Sequence, residues 1–129
     1  GSLGAVQRTR ALCPEDFYIW SGNDDETVPI CALGGKGVIS VAANLIPAQM
    51  HQMVSLCLAN DFAAAGAMQI RLKDLIDALF CEVNPIPVKT ALNLIGWQAG
   101  PLRLPLCEPS EANLRRIRDA LVRYSLLEQ

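Results

Sequence analysis

The chain has 129 residues, and because 51% are hydrophobic but only 5% aromatic, one domain with a core of Leu, Ile, Val and Ala is expected. The formal net charge of -2 supplies no long-range attraction to nucleic acid or to an anionic membrane surface. Since no run of 18 uninterrupted apolar residues and no basic-then-apolar leader is present, neither a membrane span nor a signal peptide is predicted.

Residues 3–13 open the chain with apolar side chains at helical spacing, and Pro14 ends the helix that they predict. The run FYIWS, residues 17–21, is β-branched and aromatic and lies between Pro14 and Gly22. This composition predicts a short buried strand.

The stretch LGGKGVISVAAN, residues 33–44, looks like a phosphate-binding loop at first sight. A loop of the Walker type follows a strand and leads into a helix, whereas these glycines follow a short helix and precede an apolar run. Lys36 is followed by Gly37 rather than by Ser or Thr. A helix C-cap and a tight turn therefore explain the glycines better than phosphate binding does.

The residues on either side of this turn predict a short helix and a second strand. Asp24 or Asp25 can cap the helix, and Pro29 fits it only in the first turn. The run GVISVAA, residues 37–43, has no polar alternation. It therefore predicts a strand buried on both faces, as in parallel sheets.

The second half of the chain is predicted to be helical. Pro47 near the start of one helix and an apolar stripe along the next support this prediction. Ser110 provides only a partial capping box for the last helix, since no Glu or Gln follows three residues later. Helices are predicted over residues 46–60, 61–83, 88–95 and 110–127, with a proline-fixed turn over 84–89 and an extended stretch over 101–106.

Four arginines in the last predicted helix alternate with acidic residues. A solvated helix face explains this pattern better than a nucleic-acid patch does. The arginines are Arg115, Arg116, Arg118 and Arg123.

Cysteine usage indicates a reducing compartment. The five cysteines are odd in number and widely spaced, no two form a CxxC pair, and the only histidine is His51. We therefore expect neither a metal site of the usual Cys/His spacing nor a disulfide framework. Buried, reduced thiols in a cytoplasmic protein without a cofactor are the simplest interpretation. The cysteines are Cys13, Cys31, Cys57, Cys81 and Cys107.

Two parallel strands with apolar faces would leave open edges in an isolated chain. The simplest resolution is that further strands lie elsewhere in a longer parent chain. The opening Gly1-Ser2 without an initiator Met fits such a cut or cloned end. We therefore expect an α/β fold that comprises the end of a (β/α)8 barrel and a helical extension.

In such a barrel, chemistry lies where the strands end. Gly22 directly follows the first strand and would let a backbone approach a ligand, or is a plain turn glycine. Asn23 and Asp24 could bind a ligand, although capping the next helix is the favoured role. Asp24, Asp25 and Glu26 are adjacent in sequence and are not expected to converge on one bond as an acid/base pair.

No complete catalytic apparatus is visible. A Schiff-base lysine requires a depressed pKa, typically on an inward-facing barrel strand. Lys36 lies at the wrong end of its strand, Lys73 lies in mid-helix and Lys89 follows a proline turn. His51 is predicted to be a surface helix residue, and no triad can be built from it with Ser21 or Ser40.

Four blocks of the chain resemble the C-terminal portion of the dihydrodipicolinate synthase family, over about residues 3–127. The segment NPIPVK followed by LRLP is the most specific part and favours this family over relatives such as N-acetylneuraminate lyase. The blocks are SGNDD, LGGKGVISVAAN, FCEVNPIPVKTALNLIG and LRLPL.

The resemblance implies a (β/α)8 TIM barrel with a C-terminal helical domain, usually as a homotetramer. Residues 1–60 would be the last two βα units, with strands seven and eight, and residues 61–129 the helical domain. The family condenses pyruvate with aspartate semialdehyde in lysine and diaminopimelate biosynthesis, with pyruvate held as a Schiff base on a lysine. That lysine would precede Leu3, so this chain alone is expected to be inactive.

Only two site residues carry over by resemblance. Ile39 matches the isoleucine of strand eight that borders the pyruvate site, largely through its backbone. Gly22 matches the glycine after strand seven at the same pocket. Asn23 departs from the aspartate usual there, so a charge role at this position is not implied.

Two alternatives remain open. One is another pyruvate-dependent aldolase of the same superfamily, similar to N-acetylneuraminate lyase, with a different second substrate. The other is a non-catalytic oligomerising module that pairs its exposed strands with another copy.

Overall fold

The computed structural model describes residues 2–128. The chain divides into two compact units, the first ending at Arg71 and the second beginning at Leu72. The α-helices are α1 (Leu3–Leu12), α2 (Thr27–Ala32), α3 (Pro47–Leu58), α4 (Phe62–Leu79), α5 (Ile86–Leu94) and α6 (Glu111–Arg123), with 3-10 turns at Asp24–Glu26 and Ala42–Asn44.

The two predicted strands are extended but do not form regular strands within residues 2–128. We call residues 17–21 the first extended segment and residues 37–40 the second. The prediction that the second strand continues to residue 43 is wrong, because Val41 has helical dihedral angles and Ala42–Asn44 form a 3-10 turn. They meet in one isolated parallel bridge between Ser21 and Val38. The amide of Lys36, rather than that of Gly37, donates to the Ile19 carbonyl at 2.8 Å. The ladder is irregular here because Gly37 has a φ of +148°.

The predictions that the first strand is buried and that the second is buried on both faces are both wrong for this chain. Phe17, Tyr18 and Trp20 are each about half exposed, and Ile39 on the second segment is largely exposed. A pair of extended segments has an unpaired backbone edge on each side. The described part of this chain supplies too few neighbouring elements to cover both faces of the pair.

The predicted C-cap of α2 is confirmed. Gly34 has a φ of +90°, and its amide donates to the Cys31 carbonyl at 2.9 Å while the Gly35 amide donates to the Ile30 carbonyl at 2.9 Å. This pairing is a Schellman motif. A Cβ on Gly35 would lie 2.7 Å from Ile30 Cγ2, so both glycines are required for the turn.

The core of the first unit lies around α3. Pro47 occupies the first turn of the helix, as predicted, and Met50, Met53 and Cys57 on its inner face are buried. Cys31 of α2 and Ala65 of α4 pack with Cys57 in one apolar cluster. Burial of these apolar side chains stabilises the unit.

The second unit is a small helical core. The predicted apolar stripe of α4 is confirmed at Leu72, Leu75, Ile76 and Leu79, which are buried. Phe80, which was predicted to belong to the stripe, lies beyond the end of the helix and is partly exposed. α5 begins two residues earlier than predicted, because Pro87 is accommodated in the first turn. The buried side chains include Leu72, Leu75, Ile76, Leu79, Ile86, Ala91, Ile117 and Leu121.

The capping box of α6 is completed from outside the helix. Ser110 Oγ accepts from the Asn113 amide at 3.4 Å, and Glu82 Oε1 accepts from the Ser110 amide at 3.0 Å, Ser110 Oγ at 3.1 Å and Asn113 Nδ2 at 2.7 Å. The hydrogen bond from the Asn113 side chain lowers the pKa of Glu82, and the bond from the Ser110 amide lowers it further by a smaller amount. Glu82 thus supplies the carboxylate that the sequence lacks at the third helical position.

The lowered pKa of Glu82 predicts a pH-dependent contribution to stability. A carboxyl group with a depressed folded-state pKa stabilises the fold above its unfolded value of about 4.3, and this contribution is lost as the pH falls through the folded value. Glu82→Gln is expected to lower the Tm slightly at pH 7, with the difference from the unmodified chain shrinking toward pH 3. Thermal unfolding followed by circular dichroism checks this.

Glu108→Gln provides the control, because Glu108 is exposed and is not part of the α6 cap. An equal decrease in both variants, or a decrease for Glu82→Gln that persists at low pH, would contradict this role of Glu82.

Candidate functional site

Gly22 and Ile39 lie at the same end of the paired extended segments. The Ser21 amide donates to the Gly37 carbonyl at 2.8 Å, and the Ile39 amide donates to the Ser21 carbonyl at 2.9 Å. Gly22 directly follows Ser21, so the two residues singled out by the sequence occupy neighbouring segments at their carboxyl ends. In parallel α/β folds, ligands bind at this end.

Asp24 fixes the geometry of this end. Its side chain is 0% exposed, and Ser40 Oγ donates to Oδ1 while the amides of Val41 and Ala42 donate to Oδ2 at 2.9 Å and 3.2 Å. Asp24 therefore caps the 3-10 turn that follows the second segment. The preferred expectation, that it caps the helix following it in sequence, is wrong.

The turn after the first segment is held by its own side chains. Ser21 Oγ accepts from the Asn23 amide at 3.1 Å and donates to the Asn23 carbonyl at 2.6 Å. Asn23 Nδ2 donates to Glu26 Oε2 at 3.3 Å, and Thr27 Oγ1 donates to the Asp24 carbonyl at 2.8 Å. Asn23 is thus engaged within the turn.

Gln69 is a supporting residue that the sequence did not reveal. Its Oε1 accepts from the Val28 amide at 2.8 Å, and its Nε2 donates to the Asp25 carbonyl. Gln69 lies on α4, 41 residues beyond Val28 in the sequence, and its side-chain amide therefore fixes the start of α2 from a distant helix. No local pattern could have indicated a pairing over that distance.

The surface beside Gly22 and Ile39 is open. A Cβ on Gly22 would meet no atom within 4 Å, so nothing in this chain sterically requires a glycine there. Ile39 extends its side chain into solvent. The two residues can offer main-chain polar groups and one apolar side chain to a ligand.

None of the three lysines is placed as a desolvated nucleophile. Lys36 is exposed and lies 5.9 Å from the Tyr18 ring centroid. Lys73 Nζ pairs with Asp77 at 2.6 Å on an exposed helix face, and Lys89 Nζ donates to the Pro101 carbonyl at 2.6 Å. The predicted surface position of Lys36 is confirmed.

The histidine and the C-terminal arginines lie on the surface, as predicted. His51 is exposed, and its Nε2 lies 3.5 Å from Ser55 Oγ one helical turn away. The four arginines of α6 are exposed, and Arg115 and Arg123 form ion pairs with Glu111 and Asp74. Within residues 2–128, no three His, Cys, Asp or Glu side chains converge as metal ligands.

No helix in the part of the chain that the structure describes is both long and apolar enough to cross a membrane.

The cysteines are all free thiols in the structure, and their environments differ. Burial is the main cause that raises the pKa of Cys31 to about 11, and the charge and hydrogen bond of neighbouring Cys57 make smaller contributions in the same direction. Burial likewise raises the pKa of Cys57 and of Cys81. A thiol held protonated is a poor nucleophile, so these three residues do not support covalent catalysis.

The sequence model of the dihydrodipicolinate synthetase family matches residues 1–123 of the chain. Enzymes named 4-hydroxy-tetrahydrodipicolinate synthase are similar along the chain. The one from Thermoanaerobacter sp. (strain X514) is 49% identical over 129 residues, all of this chain and 43% of the relative. The one from Acetivibrio thermocellus is 48% identical over 126 residues, 98% of this chain and 43% of the relative.

Solved structures agree with this match. Dihydrodipicolinate synthase from Aquifex aeolicus superposes with a TM-score of 0.95 at 39% identity, covering 99% of this chain and 44% of that one. The enzyme from Thermotoga maritima gives 0.93 at 40% identity, covering 98% and 44%. The chain therefore has the fold of the part of these synthases that it matches.

This chain belongs to the dihydrodipicolinate synthetase family. It spans about 43% of the length of the curated relatives that it matches.

Removal of the Asp24 carboxylate is expected to destabilise the first unit. Asp24→Ala leaves Ser40 Oγ and the amides of Val41 and Ala42 without their acceptor, which costs about 1–3 kcal/mol of unfolding free energy. Asp25→Ala, in the same turn but exposed, is expected to change it by less than about 0.5 kcal/mol. Urea unfolding of both variants measures the difference, and equal values would argue against a structural role for Asp24.

Thiol reactivity should separate the five cysteines. Exposed Cys107 is expected to react with a maleimide at pH 8 within minutes, while buried Cys31 and Cys57 react only after unfolding in guanidinium. Peptide mapping after timed labelling gives the order. Early modification of Cys31 in the folded chain would show that the core cluster is open.

Proposed function

We propose that the chain is the C-terminal part of a synthase that condenses pyruvate with aspartate semialdehyde through a lysine Schiff base, in lysine and diaminopimelate biosynthesis. The observation that carries this proposal is the match of the entire chain to enzymes of that name at 49% identity. The meeting of Gly22 and Ile39 at one end of the paired segments supports it.

The two extended segments would be strands seven and eight of a (β/α)8 TIM barrel. Residues 1–60 would then form the last two βα units and residues 61–129 the C-terminal helical domain. The parallel bridge between the segments, their half-exposed apolar side chains and the 43% span of the relatives all support this assignment. A barrel would cover both open edges.

Gly22 and Ile39 would border the pyruvate pocket. Pyruvate carries a carboxylate and a carbonyl, which hydrogen-bond to main-chain amides, and Gly22 leaves room for such a backbone approach. Asn23 would act through the turn that it stabilises rather than by charge, because its side-chain amide is bound to Glu26.

The Schiff-base lysine would lie outside this chain. A lysine that attacks pyruvate must be unprotonated near neutral pH, which requires desolvation or a cationic neighbour. The exposed, paired or carbonyl-bound positions of Lys36, Lys73 and Lys89 meet neither requirement. The chain by itself would therefore be inactive, and no cofactor is invoked.

The parent enzyme would be a cytoplasmic homo-oligomer without nucleic-acid or membrane partners.

The second candidate function, a non-catalytic oligomerising module, is favoured by one observation, the exposed apolar side chains of the extended segments. An N-acetylneuraminate lyase-like specificity has less support, because the similar enzymes carry the synthase name.

Borohydride trapping tests the proposal. With pyruvate and sodium borohydride, the 129-residue chain is expected to gain no mass, because none of its three lysines is desolvated or held beside a cationic group. The complete Thermoanaerobacter enzyme, treated identically, is expected to gain one reduced pyruvate. Intact-mass spectrometry reads both. A trapped adduct on any of the three lysines would refute the assignment of the lysine to another segment.

A further inference from the structure

Two cysteines from different helices meet in the core of the first unit. Cys31 lies on α2 and Cys57 on α3, and both side chains are buried. Ala65 of α4 completes the cluster that they form. The two thiols are hydrogen-bond partners, so their sulfur atoms are close neighbours in space. We call Cys31 and Cys57 the buried thiol pair.

The surroundings of the buried thiol pair restrict the chemistry that it can undergo. The side chains of Val28, Leu56 and Phe62, all apolar, pack against the cluster. A close-packed apolar core has no room for an added group such as glutathione, or for the oxygen atoms of a sulfinic acid. A disulfide adds no atoms and removes two hydrogens. It is therefore the oxidative modification that fits this site.

We propose that Cys31 and Cys57 form a disulfide bond when the chain folds in the presence of a low-molecular-weight disulfide, so that α2 and α3 become covalently linked. The bond would make the pair a modification site for oxidants of the disulfide class. This inference rests on the packing of the two side chains and is independent of the proposed function.

The reaction consists of two thiol–disulfide exchanges. One protein thiolate attacks a sulfur of the small disulfide, which forms a mixed disulfide and releases one reduced small thiol. The other protein thiolate attacks the protein sulfur of that mixed disulfide, which forms the bond between Cys31 and Cys57 and releases the second small thiol. The protein loses two protons and two electrons in total, and the small disulfide gains both.

The folded pair itself is slow to react. Burial raises the pKa of both thiols, to about 11 for Cys31, and a protonated thiol is a poor nucleophile. Exchange is therefore expected while the chain folds and the thiols are still accessible. Native packing then brings the two sulfur atoms together and keeps the bonded pair in place.

The disulfide would close a loop that contains the second extended segment. The same loop includes the turn at Gly34 and Gly35 and the 3-10 turn at Ala42–Asn44. A bond that closes such a loop restricts the unfolded chain and so favours the folded one. The oxidised chain is therefore expected to have a higher Tm than the reduced chain.

The test refolds the 129-residue chain from guanidinium in a buffer of reduced and oxidised glutathione. Peptide mapping without reduction is expected to find the Cys31–Cys57 disulfide at least about tenfold above any other pairing. The reference is the same buffer with guanidinium retained. Pairing there follows sequence separation alone, so this pair is expected to have no comparable advantage.

Two cysteine variants form a matched pair. Cys107 is exposed, and Cys107→Ser is expected to leave the disulfide intact, whereas Cys57→Ala removes one of its sulfur atoms. Each variant is compared with its own reduced form, so that any change in packing cancels. Oxidation is expected to raise the Tm of the unmodified chain and of Cys107→Ser by at least about 5 °C and to leave that of Cys57→Ala unchanged.

The outcomes decide the proposal. A predominant Cys31–Cys57 disulfide that raises the Tm upholds it. Another predominant pairing, the same mixture of pairings with and without guanidinium, or glutathione adducts alone would show that the native packing does not select this bond, and the proposal would be wrong. A Cys31–Cys57 disulfide that lowers the Tm would also overturn it, because the folded core would then not accommodate the bond.

Discussion

The first unit depends on one buried carboxylate. Asp24 accepts three hydrogen bonds from Ser40, Val41 and Ala42, and so joins the turn after the first extended segment to the turn after the second. This buried carboxyl group is tolerated because each of its oxygens has a hydrogen-bond donor. The parallel bridge between Ser21 and Val38, with its bond from the Ile39 amide, lies next to this connection along the chain, and the candidate site adjoins both.

The second unit uses the same device at a helix start. Glu82 binds Ser110 and Asn113, satisfying main-chain and side-chain donors at the N-terminus of α6. In both units an acidic side chain is supplied from a distant part of the sequence to cap a helical turn. The effect is local order where the chain changes direction, and helix packing then buries the apolar stripes.

Most of the helices could be predicted from the sequence, but the distant side chains that cap helical turns could not. Pro14, Pro47 and the Gly34-Gly35 pair set boundaries through constraints of the residues themselves, and the structure confirms these boundaries. The predicted end of the long helix at residue 83 was wrong, since α4 stops at Leu79. A hydrophobic pattern fixes a helix face better than a helix end, because ends depend on competing contacts.

The sequence by itself determined the helix periodicity, the glycine turn and the surface position of Lys36, and its resemblance to the family predicted that Gly22 and Ile39 share one site. These features follow from local geometry or from residue identity. Only the tertiary structure decided that Asp24 caps a turn 17 residues away and that the predicted buried strand is half exposed. Both depend on which segments become neighbours in space, and that is settled by the sum of packing and hydrogen bonds rather than by any local pattern.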